Sequence, residues 1–76
     1  MTTAASSIRT RSRYATATGE TVTVYALAHA DDTYEIVTRS NGADIATEVH
    51  ADGLRAVAAY VVACERITAG GGVRTA

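Results

Sequence analysis

Residues 21–50 read TVTVYALAHADDTYEIVTRSNGADIATEVH, three runs with apolar side chains on every second position, broken at Asp31 and Asp32 and again at Asn41 and Gly42. Alternation at period two is the mark of a strand with one buried face. The second break is the stronger signal, because a type I′ turn needs positive φ at both central residues, and Asn and Gly adopt it with least strain. Treating both breaks as two-residue turns sets an antiparallel register by counting outward. Leu27 then faces Ile36, Tyr25 faces Thr38, Ile36 faces Thr47, Thr38 faces Ile45 and Tyr34 faces Val49. Side chains directly opposite share a face. This register therefore predicts a core face of Tyr14, Tyr25, Leu27, Tyr34, Ile36, Ile45 and Val49.

The same alternation extends backwards through 8–18, with Gly19 turning the chain into a strand over 20–29; strands over 33–40 and 43–50 complete a four-stranded antiparallel meander. Asp52 is placed as the N-cap of a helix running from 53 to about 68, and Gly70 as its left-handed C-terminal cap. The helical spacing of Leu54, Val57, Ala58, Val61, Cys64 and Ile67 predicts the inward stripe. The opposite side, Arg55, Ala59, Val62 and Arg66, is poorly polar for a surface, which leaves room for a second contact. The expected fold is α+β, a ββββα unit over 8–69 with the helix on one face of the sheet. A disordered N-terminus over 1–7 and a flexible Gly-rich tail over 70–76 are expected to flank it.

Seventy-six residues make one domain, near the lower limit at which a single core offsets chain entropy. Hydrophobic content is 47%, but there is no Phe or Trp, so the core must be thin. Apolar surface left over in so small a chain is expected to be buried against a partner. A single cysteine, Cys64, excludes an intrachain disulfide and suits a reducing compartment. With no run of membrane length and no secretory leader, the chain reads as a cytoplasmic protein with no membrane contact. His29, His50 and Cys64 are scattered, and no nucleophile, base and acid stand together, so neither a metal, a cofactor nor an enzymatic activity is expected. All seven basic residues are Arg, the codon bias of a GC-rich genome, bacterial or phage.

Net charge is −1, but the charges are segregated. Arg9, Arg11 and Arg13 occupy an acid-free start, whereas 19–54 carries seven acids against Arg39 and Arg39 alone. On the predicted reverse face, Val22, Val24, Ala26 and Val37 form a flat patch of small residues, with Arg39 opposite Asp44 and Glu35 opposite Glu48. Like charges directly opposite destabilise a sheet. A twofold-related copy laid face to face would set arginines over those glutamates, the self-complementarity of an isologous dimer. The leading expectation is therefore a non-enzymatic protein-interaction module, homodimeric through Val22, Val24, Ala26, Val37, Glu35 and Glu48, acting by binding another protein. The alternative is a nucleic-acid-binding or regulatory protein using Arg9, Arg11, Arg13 and Arg39. Alternate strand residues project the same way about 7 Å apart, a spacing that suits successive phosphates.

The stretch 34–58, with its aromatic strand from Tyr34, the Asn41 and Gly42 turn followed by Ile45 and Ala46, and the Ala-rich helix after Asp52, resembles the YegP-like family of small bacterial ββα modules. The resemblance covers about a third of the chain. It implies a hairpin leading into a helix there and assigns no activity to any residue.

Overall fold

A computed structural model describes residues 6–76. Five strands and one helix follow in chain order: β1 (Ser7–Ala15), β2 (Thr21–Ala28), β3 (Tyr34–Ser40), β4 (Ala43–His50), α1 (Gly53–Ala69) and β5 (Val73–Arg74). The strands form one antiparallel sheet in the order β4-β3-β2-β1-β5, and α1 lies over β2, β3 and β4. This is the expected α+β fold with one strand more. Of the segment expected to be disordered, residues 1–5 lie outside the described residues, and Ser7 already belongs to β1.

The β3–β4 turn forms as its sequence dictates. Asn41 and Gly42 sit at φ 50° and 87°, and Arg39 faces Asp44. Beyond that pair a bulge makes Ile45 an extra residue, so Thr38 faces Ala46 and Ile36 faces Glu48 instead of Thr47. The β2–β3 turn differs more. Asp32 N–H donates to the His29 carbonyl at 3.2 Å, His29 N–H donates to the Thr33 carbonyl at 2.9 Å, and Asp32 takes φ 66°. That is a three-residue loop with its last residue left-handed, the same form that β1–β2 builds with Gly19 at φ 85°. The Asp31 carboxylate accepts from the Thr33 hydroxyl at 2.6 Å and the Thr33 N–H at 3.2 Å, which stiffens the loop and holds that carboxyl below its ordinary range.

One extra loop residue slips the register by one. Leu27 faces Glu35, Ala26 faces Ile36, Tyr25 faces Val37 and Val24 faces Thr38. Since side chains alternate at period two, the slip turns β2 over relative to β3. Val22, Val24 and Ala26 therefore lie with Ile36 on the helix side, where Val24 is fully buried. Of the predicted core face, Tyr14, Tyr34 and Ile36 are on the helix side, while Tyr25, Leu27 and Val49 stand on the opposite one.

Asp52 caps α1 as expected, with extended backbone and Oδ1 accepting from Leu54 N–H at 2.8 Å. The phase of the helix is not the expected one. Ala56 is its one buried residue, and Ala59, Tyr60, Ala63, Cys64 and Ile67 pack against the sheet. Leu54, Val57 and Val61 point away. Two stripes of this helix are apolar, so periodicity alone could not choose between them. The two-residue link through Ala51 and Asp52 and the close seat of Gly53 on the Tyr34 ring leave the chain little freedom to rotate. The small-residue stripe ends up inside, bringing the helix close to the sheet.

The helix ends on Gly71, at φ 97°, one residue later than expected; Gly70 itself keeps negative φ. Gly72 N–H closes the end on the Ile67 carbonyl at 2.9 Å, and a side chain there would meet Ile67 Cγ2 at 2.6 Å. The chain then returns to β1 instead of trailing as a loose tail. Val73 pairs with Ala15 and Arg74 with Tyr14, and Thr75 N–H donates to the Arg13 carbonyl at 2.7 Å.

Candidate interaction surfaces

The sheet face opposite the helix gathers Arg11 and Arg13 from β1, Tyr25 from β2 and Arg39 from β3. Tyr25 faces Arg11 on one side and Val37 on the other, with Arg13 and Arg39 on its diagonals. Arg39 lies over the Tyr25 ring, 5.4 Å from its centroid, and its Nε donates to Asp44 Oδ1 at 2.7 Å. Both partners of that ion pair are nearly half exposed, so water screens it and it adds little to stability. Tyr25 and Val37 are buried although, among the described residues, no second layer lies on them. The long arginine stems screen the apolar floor while their charged ends stay wet. Glu35 is occupied locally, its carboxylate 2.9 Å from His29 Nε2, whose Nδ1 lies 2.6 Å from the Ser6 hydroxyl.

The residues expected to form one dimer patch are thus divided. Glu35 and Val37 are on the open sheet face; Val22, Val24, Ala26 and Glu48 are on the helix side. Glu35 faces Val49 and Glu48 faces Ile36, so the expected repulsion between the two glutamates does not arise. The arginines divide too. A bulge between Ile8 and Thr10 sets Arg9 apart from Arg11 and Arg13, and Arg9 borders a groove of about 700 Å³ beside the start of the helix, with Tyr34, Leu54, Val57 and Tyr60. Among the described residues, Arg9, Arg11 and Arg13 form no ion pair.

The outward side of α1 is a different surface. Leu54 is 82% exposed, Val57 62%, Val61 47% and Val62 42%. Ala58 and Glu65 lie between them, and both are exposed. Sequence reasoning placed four of these residues, Leu54, Val57, Ala58 and Val61, on the inward side. The available signal was the competing stripe of Ala56, Ala59, Ala63 and Ile67, equally helical in spacing.

The helix is locked in this phase from the sheet side. Ser12, itself buried, shares a 2.6 Å hydrogen bond with the Tyr60 hydroxyl. The Tyr14 phenol is pushed above its ordinary range, chiefly by the neighbouring Cys64 thiol, and burial acts in the same direction. Among the described residues, no three of His, Cys, Asp and Glu converge to hold a metal ion, and no helix is long and apolar enough to cross a membrane. No family model, curated protein or solved structure matches the chain.

Proposed function

We propose that this protein is a small non-enzymatic interaction module that binds a protein partner through the outward side of α1. The observation that carries this reading is the run of Leu54, Val57, Val61 and Val62 exposed side by side on one helix. Contiguous exposed apolar surface marks a contact site, and a domain this small has little stability to spare for leaving it wet. The single free thiol, Cys64, suits work in the reducing cytoplasm. The test is capture from a lysate with the wild-type chain and with a Leu54→Glu, Val61→Glu variant. Both positions are exposed, so the variant should keep its circular dichroism and melting temperature while losing the captured protein. Equal capture by both chains would refute the reading.

A second reading rests on Arg11, Arg13 and Arg39 converging around Tyr25, a basic cluster on an open sheet that suits a nucleic-acid backbone. The net charge of −1 argues against tight binding. With about three phosphates engaged, log K against log salt should have a slope of about −2 to −3. Fluorescence anisotropy with a labelled oligonucleotide measures it, and nuclease treatment of the lysate separates the two readings.

A further inference from the structure

The geometry points to a second copy of this chain as the occupant of the outward helix side, packed antiparallel about a twofold axis that crosses α1 beside Ala59 and Tyr60. This rests on the reading that the helix side is a docking surface and names what docks there.

Leu54, Ala58, Val61 and Glu65 recur at spacings of four, three and four, the pattern of a two-helix seam. All four are exposed. In an antiparallel pair, residues equidistant from the axis meet. Ala58 and Val61 lie symmetrically about the midpoint of Ala59 and Tyr60, and so do Leu54 and Glu65. Ala58 of each copy then receives Val61 of the other, a small residue against a branched one, which permits close approach. Leu54 of each copy meets the aliphatic stem of the opposing Glu65.

The charges give the same axis independently. Arg55 lies five residues before Tyr60 and Glu65 five after, so their midpoint is Tyr60 itself. At about 1.5 Å per residue, the two midpoints differ by less than about 1 Å. A twofold axis there brings Arg55 of each copy to Glu65 of the other, twice per dimer. Among the described residues neither side chain has an ion-pair partner within its own chain. Antiparallel helices also set their dipoles side by side in opposite directions, which favours the pairing. A parallel pair would place Glu65 against Glu65 at the end of the seam. The self-complementarity is what an isologous contact requires.

Sedimentation velocity on the full chain from about 1 to 100 µM tests this, since a contact of one helix pair is expected to be of micromolar strength. The wild type should dimerise, and Val61→Glu, beside the axis, should weaken the dimer by about a hundredfold or more. Arg55→Glu and Glu65→Arg should each weaken it by about tenfold, because each replaces two attractive contacts with two repulsive ones. The Arg55→Glu, Glu65→Arg double variant should recover most of the loss. A dimer indifferent to Val61→Glu overturns the surface; a dimer that Val61→Glu breaks but the double variant does not restore overturns the antiparallel register. A monomeric wild type that still captures a protein through Leu54 and Val61 overturns self-pairing and leaves the interaction module standing. A monomeric wild type whose captures do not depend on those residues overturns both.

Discussion

Among the described residues, neither the open sheet face nor the outward helix side carries a second layer, yet the two meet water differently. On the sheet, Arg39 lies over the Tyr25 ring, Arg11 and Arg13 flank it from β1, and Tyr25 and Val37 are buried. On the helix, side chains diverge from the axis. Leu54 and Val57 stay wet. A pleated surface holds cross-strand neighbours close enough to roof one another, whereas a convex helix cannot roof itself. The second surface is therefore the one whose burial by a partner would release the most apolar area.

The sharpest way to break this comparison is to truncate both buried sides of the sheet. Ile36→Ala, under the helix, should cost about 2–5 kcal/mol. Val37→Ala, on the open face, should still cost about 1.5–3 kcal/mol, because its burial beside Tyr25 is as complete. Denaturant unfolding measures both, and a Val37→Ala change within 0.5 kcal/mol of zero, the scale of a surface substitution, would mean the sheet face is not self-covered.

Next in size is Gly72→Ala. The new methyl would collide with Ile67, which belongs to the buried side of α1, so overpacking of about 1–3 kcal/mol is expected. Amide exchange should show Arg13 losing protection as β5 lifts from β1. Retained protection would mean β5 is held independently of the helix end.

A smaller effect should follow pH. The Tyr14 phenol is raised in the folded state, chiefly by Cys64, so its contribution is fully present below the unfolded value of about 10 and is lost as pH rises through the folded value. Thermal melts should therefore fall on the alkaline side, and Cys64→Ala should flatten that fall. An identical alkaline slope in both proteins would locate the titration elsewhere.

The smallest expected change is the most discriminating for the helix. Val61→Ser, at a concentration where the chain is monomeric, should move stability by no more than about 0.5 kcal/mol. A loss comparable to that of Ile36→Ala would place Val61 in the core, where periodicity had put it.

The number and order of the four long strands, the Asn41 and Gly42 turn, the Arg39 and Asp44 pair and the Asp52 cap were legible in the chain because each depends on neighbours in sequence. Local dihedral preference and local hydrogen bonding suffice for them. Which residues face which way depended on three features that carried weak local signals. Asp32 takes a left-handed conformation more often given to glycine, Arg9 and Ile45 sit at bulges, and the helix has two apolar stripes of equal period. In a period-two structure a single unmarked residue inverts a whole strand, which is why Val22, Val24 and Ala26 moved from an imagined interface into the core. The helix phase was settled by the short link from β4 and by what the sheet could accommodate, small residues close in with Tyr60 reaching Ser12. That choice, made by packing between elements distant in sequence, left Leu54, Val57 and Val61 facing water.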